Sequence, residues 1–157
     1  MSAIWRYFKE RWLLWLGIIA FILYKLPALH YLFYWDESWS YEAAVKLMYV
    51  HGPSMMPNAI DTTFSRGHPL LFYFLVSGWM KLLGSGAFSQ HVFALLISVV
   101  LIWATYEISC RLFNKRVALL TLAILPLQCI FFVQSTMILP EVMVALLALL
   151  TLYFYAT

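Results

Sequence analysis

The sequence predicts an all-α, polytopic membrane protein: about four transmembrane helices, with an outer loop that carries one amphipathic helix and one interfacial helix. Two observations predict it. Of 157 residues, 64% are hydrophobic and only 11% are charged, with a mean hydropathy of +0.85. Soluble domains carry about 45–50% apolar and about 25% charged residues, so no water-soluble core could hide this much apolar surface. The charges are also segregated. Arg6, Lys9 and Arg11 precede the first apolar run, and Arg111, Lys115 and Arg116 separate two later ones. Basic clusters that flank spans mark cytoplasmic ends.

The first run covers residues 12–34. It follows a basic flank, but it is too long for a signal-peptide core and lacks a small-x-small cleavage site, so it reads as an uncleaved anchor. Further runs cover 88–113, 117–134 and 142–157. A span needs roughly 20 apolar residues, with about 17–25 tolerated, so the last two are at the short end. Residues 69–83 form a shorter stretch closed by Gly84 and Gly86. At 1.5 Å per residue it reaches about 23 Å, short of a roughly 30 Å hydrocarbon core.

Parity assigns that stretch. If it stays at the outer surface, the four runs alternate direction, both basic clusters fall inside and the N-terminus is cytoplasmic, as charge asymmetry demands. If it crossed, Arg111, Lys115 and Arg116 would be outside. The expectation is therefore a multi-pass protein of the plasma (inner) membrane, one domain over 1–157 with its outer region at 35–87. The chain stops at Tyr155-Ala156-Thr157 with no basic stop-transfer residues, which reads as a truncation.

Between the first run and the interfacial helix, residues 35–68 hold six acidic or imidazole groups: Asp36, Glu37, Glu42, His51, Asp61 and His68. Residues 37–50 read as an amphipathic helix with Trp39, Ala43, Leu47 and Val50 on its apolar face and Glu42 paired with Lys46 at i,i+4. Residues 52–67, punctuated by Pro53, Pro57, Asn58 and Gly67, read as loop. Nucleic acid is excluded as a partner, because no basic face with stacking aromatics stands outside the bilayer. Cys110 and Cys129 lie in apolar runs without metal-type spacing and read as small apolar fillers.

The residues that could carry chemistry gather on the outer side. Adjacent Asp36 and Glu37 can bind a cation or act as a base, although Asp36 could equally cap the helix after it. His68, before Pro69, and Arg66 could grip a phosphate at headgroup level, or His68 could ligate a metal; a plain helix start is the other account. Glu141 opens the fourth run and is a functional candidate by depth, or a first-turn acid favoured by the helix dipole. Lys25, about two-thirds of the way across the first run, snorkels outward or touches a lipid phosphate. Glu107 and Arg111 are spaced for a local ion pair.

Taken in order, these residues resemble a known family. Tyr34-Trp35-Asp36-Glu37, then Tyr41, Ala44, Gly52 and Pro53, are similar to the first outer loop of the GT-C superfamily. The nearest branch holds protein O-mannosyltransferases, aminoarabinose transferases and RgtA/B/C/D-like glycosyltransferases. Gly67-His68-Pro69-Leu70-Leu71-Phe72-Tyr73 resembles that branch's His-Pro-Pro-hydrophobic-Tyr stretch, with Leu70 in place of the second proline. Leu83-Gly84, Phe88-Ser89, Arg111-Leu112-Phe113, Arg116-Val117-Ala118 and Leu139-Pro140-Glu141 continue the likeness, which covers the N-terminal part of longer relatives.

The resemblance implies a membrane glycosyltransferase, or a truncated part of one. It would move a sugar, with inversion, from a polyprenyl-phosphate-linked donor to a lipid, glycan or protein acceptor on the extracytoplasmic face. Asp36 would be the base, with Glu37 and Glu141 the other catalytic acids. Arg66, His68 and Lys25 would bind substrate, and His68 with Glu141 would be candidate ligands of a divalent metal ion. Two other classes compete: a non-catalytic membrane subunit or remnant that binds lipid or a partner protein, and a small transporter with Lys25 and the acids along its path.

Overall fold

The computed structural model describes residues 3–65 and 68–157 and is all-helical over them, without a strand. Nine α-helices follow in order: α1 (Ala3–Glu10), α2 (Trp12–Lys25), α3 (Ala43–His51), α4 (Thr62–Ser65), α5 (Leu70–Leu83), α6 (Ala87–Leu112), α7 (Lys115–Ile124), α8 (Cys129–Gln134) and α9 (Glu141–Ala156). A 3-10 turn, Leu26–His30, extends α2, and a π-helix, Glu37–Glu42, runs directly into α3.

α6 is the mast of the fold. It packs chiefly against α7 and α9, and its side chains enter two apolar cores. Toward its start, Phe93 and Ala94 join Tyr41, Met48, Val76 and Met80, from α3 and its π-helix and from α5. Further along, Leu101, Ile102 and Tyr106 join Leu14, Ile18, Ala118 and Leu146, from α2, α7 and α9. α5 therefore packs beside only the first part of α6. At 14 residues it is about 21 Å long, shorter than a roughly 30 Å hydrocarbon core.

Among the described residues, two helices are long and apolar enough to cross a membrane: Trp12–His30, of mean hydropathy 1.9, and Ala87–Leu112, of mean hydropathy 2.0. The expected third span is not one helix. α7 ends at Ile124, a 3-10 turn takes Leu125–Leu127, Gln128 is extended, and α8 starts at Cys129. Pro126 explains the break, because proline supplies no N–H and clashes with the preceding turn. α9 is a continuous helix of 16 residues.

The ends of α6 are chemically opposite. His91 lies in its second turn and meets Glu37, whereas Glu107, 16 residues on and about 24 Å away along the axis, meets the N-terminal segment. There Arg11 grips Glu107 through both nitrogen positions, with Nη2 to Oε2 at 3.0 Å, and the Tyr7 hydroxyl donates to Oε1 at 2.8 Å. The Trp103 indole donates to Tyr7 at 2.9 Å, and Lys115 donates to the Glu10 carbonyl at 3.3 Å. Both basic clusters thus lie at one end of the mast. The expected Glu107–Arg111 pair does not form. Glu107 is committed to Arg11, and Arg111 donates instead to the Tyr153 hydroxyl at 3.1 Å.

The helix expected over 37–50 exists, but it buries another face. Tyr41, Ala44, Val45 and Met48 are buried, while Trp39 and Val50 are exposed. Nearly every side chain from Ala43 to Val50 is apolar, so periodicity could not choose the face. The Glu42–Lys46 pair forms as expected.

Candidate active site

Asp36 stands where the chain turns into the π-helix. Its backbone is helical, its side chain caps nothing, and it is exposed without a hydrogen bond or ion pair to the described residues. The capping account of Asp36 therefore fails. A π-helix is a rare element that recurs at functional sites, and this one presents its neighbouring carboxylates on different faces.

Glu37 does the opposite. It is 2% exposed. Its Oε2 accepts the Tyr34 backbone N–H at 2.8 Å, and its Oε1 accepts the Ile138 N–H at 2.7 Å and faces His91 Nε2 at 3.2 Å. These commitments leave it a holding group rather than a free base. His91, which sequence reasoning passed over, is equally buried, and its Nδ1 lies 3.3 Å from the Leu29 carbonyl. An ionisable side chain inside an apolar span was the signal that could have found it.

Glu141, in the first turn of α9, is exposed and uncommitted. It follows Ile138 by three residues, so the Glu37–Ile138 bond ties the segment carrying Asp36 to the one carrying Glu141. His68 is exposed at the foot of α5. Its Nε2 lies 3.2 Å from the Tyr41 hydroxyl, which links it to the π-helix as well. Arg66 lies outside the described residues. Among those residues, no group of three His, Cys, Asp or Glu side chains gathers where a metal ion could be held.

Lys25 does not snorkel. It is 4% exposed and turned inward, its ammonium donating to the Phe132 carbonyl of α8 and sitting 3.4 Å from the centre of the Phe132 ring. The reason is positional: the helix gives way at Pro27, and α8 offers an acceptor and a π face nearby. Beside it opens a mostly apolar cavity of about 630 Å³ between the end of α2 and the segment 132–137, whose wall includes Tyr24, Lys25, Tyr34, Glu37 and His91. Its size and lining suit a small ligand with a few polar contacts. Tyr34, two residues before Asp36, and Glu37, directly after it, both line this cavity.

Elsewhere on the outer loop, Asp61 accepts the Thr63 hydroxyl at 2.5 Å and the Thr63 N–H at 2.8 Å, bonds that hold its carboxyl below the usual range. They form a local turn, and Asp61 is not joined to Asp36 by any bond among the described residues.

The sequence pattern of the dolichyl-phosphate-mannose-protein mannosyltransferase family matches residues 67–157, more than half of the chain. The chain belongs to this family. It is a family of membrane glycosyltransferases of the GT-C type, in keeping with the apolar helices α2 and α6. The matched stretch contains His68, His91 and Glu141 and ends short of Asp36 and Glu37. Comparison with curated proteins and with solved structures finds no match.

Proposed function

We propose that this chain carries the catalytic outer loop of a glycosyltransferase that takes a sugar from a polyprenyl-phosphate donor and passes it to an acceptor hydroxyl outside the membrane. The observation that carries the proposal is the uncommitted carboxylate of Asp36, next in sequence to Glu37, which lines a cavity with Lys25 in its wall, in a chain of this family. Asp36 removes the proton of the acceptor hydroxyl, and the oxygen attacks the anomeric carbon. The bond from that carbon to the phosphate oxygen breaks, its electron pair leaving on polyprenyl phosphate, so the configuration inverts.

The phosphate gathers negative charge as it leaves, and preorganised cations stabilise such charge most where water is excluded. Lys25 serves this role from the cavity wall, with Arg66 and His68 from the outer loop. Magnesium-type ions need only one or two carboxylates besides substrate phosphate oxygens. A divalent ion would be held by Glu141 and His68 together with the donor's phosphate oxygens, and it would neutralise the leaving phosphate. Acceptors of lipid, glycan or protein type all present the required hydroxyl.

The orientation proposed is N-terminus inside and Asp36 outside, in a multi-pass plasma (inner) membrane protein. It is supported by both basic clusters lying at the end of α6 opposite His91, since basic residues favour the cytoplasmic side. In this reading, α2 with its 3-10 turn, α6, α7 with α8, and α9 cross, and α5 lies at the outer surface.

The test is turnover of dolichyl-phosphate mannose by the chain in lipid nanodiscs, followed as released dolichyl phosphate. Asp36→Asn is expected to lower it by roughly 10²–10⁴-fold, the usual cost of losing a general base. An Asp36→Asn protein as active as the parent would remove Asp36 from the reaction and end this reading.

A further inference from the structure

We propose that His91 is a positioning residue: clamped between the Leu29 carbonyl and Glu37, it sets the direction in which Asp36 faces. The inference rests on the reading of Asp36 as the base. It follows from how many chain segments meet on one carboxylate.

Glu37 Oε1 takes the Ile138 N–H at 2.7 Å and Oε2 takes the Tyr34 N–H at 2.8 Å. Both oxygens thus accept backbone N–H groups, one from the turn before α9 and one from the entry to the π-helix. The His91 ring meets an acceptor on each side, the Leu29 carbonyl at 3.3 Å and Glu37 Oε1 at 3.2 Å. The ring is thus fixed at both nitrogens, one toward the end of α2 and one toward Glu37. Phe33 closes on the ring edge-on, with centroids 5.3 Å apart. The Lys25 ammonium, lining the same cavity, is occupied by the Phe132 carbonyl.

The end of α2, the entry to the π-helix, α6 and the turn before α9 are thereby joined at Glu37. Successive side chains of a helix point about 100° apart, so drawing Glu37 inward turns Asp36 outward. A buried polar contact is weak support for stability taken alone. Its informative property here is that it holds the residue next to the proposed base.

The experiment compares His91→Gln, Asp36→Asn and the parent in nanodiscs, by amide hydrogen exchange and by turnover of dolichyl-phosphate mannose. In His91→Gln, the Tyr34 and Ile138 amides are expected to exchange at least about tenfold faster, because their acceptor is no longer held. The kcat should fall about 10²-fold with the donor KM within about twofold, as misplacement of a reacting group predicts. Unchanged exchange at both amides, or a folded His91→Gln protein with parental kcat while Asp36→Asn is inactive, overturns the proposal. Full turnover by Asp36→Asn instead removes Asp36 as the base, and the amides then decide the clamp alone. Should His91→Gln fail to fold, the smaller change His91→Asn decides by the same two amides, and exchange at the parental rate overturns the proposal.

Discussion

Glu37 Oε1 accepts the backbone N–H of Ile138 at 2.7 Å, across 101 residues of chain. That bond gives the two adjacent acids, Asp36 and Glu37, separate physical fates. One is exposed and spends nothing on the fold, while the other is buried and joins distant segments.

Stability should divide them in the same way. Glu37→Ala leaves His91 facing an emptied site and strips the Tyr34 and Ile138 amides of their acceptor. Removing one member of a buried pair typically costs about 3–5 kcal/mol. Asp36→Ala, an exposed change without lost partners, should stay within about 0.5 kcal/mol. Equilibrium unfolding in mild detergent measures both, and equal losses would contradict the division of labour described above.

Sidedness follows from the two ends of α6. A single cysteine beside Asp36 should react with an impermeant maleimide only from outside a sealed vesicle, and one beside Lys115 only from inside. Labelling of both from the same side would remove the orientation, because about 24 Å of helix separates His91 from Glu107.

Much of this arrangement was legible in the sequence where glycine and proline mark it. Gly84 and Gly86 bound α5 and α6 to within a residue, and Gly52, at φ +99°, closes α3. The Pro126 break was equally present, but hydropathy alone passes over it. The buried face of α3 was not legible, since both faces are apolar. The partners of Glu107 were not legible either. Spacing sees Arg111 one turn away, whereas the bond is made to Arg11, 96 residues back. For the site, sequence reasoning marked Asp36, His68 and Glu141 as chemically able, yet it could not tell that Glu37 would be consumed by the fold or that His91 would hold it.

The network at the other end gives a sharp contrast. Glu107→Gln weakens a bidentate, largely buried contact with Arg11, and charged hydrogen bonds of that kind are each worth about 1.5–3 kcal/mol. Proteolysis between α1 and α2 should quicken as α1 comes loose. Arg111→Ala removes only an exposed contact with Tyr153 and should shift stability by about 0.5 kcal/mol or less. If Arg111→Ala were the more damaging change, the local pair expected from spacing would be the real one.

Lys25→Met tests whether the cavity is built for an anion. The substitution keeps the length and most of the apolar stem of the side chain while deleting its charge. It also leaves little unsatisfied behind. The Phe132 carbonyl that receives the Lys25 ammonium also accepts the Ser135 hydroxyl at 2.9 Å, so it keeps a donor. An ammonium withdrawn from water costs free energy unless it is well paired, and methionine carries no such cost. The fold should therefore be unharmed or slightly stabilised. Binding of dolichyl phosphate, followed by tryptophan quenching in nanodiscs, should in contrast weaken about 10–100-fold, the loss of one charge-assisted hydrogen bond. Uncharged dolichol supplies the control, and its binding should not change. If Lys25→Met bound dolichyl phosphate as tightly as the parent but unfolded more readily, Lys25 would be a post that fixes α8 to α2, and the phosphate would be held elsewhere.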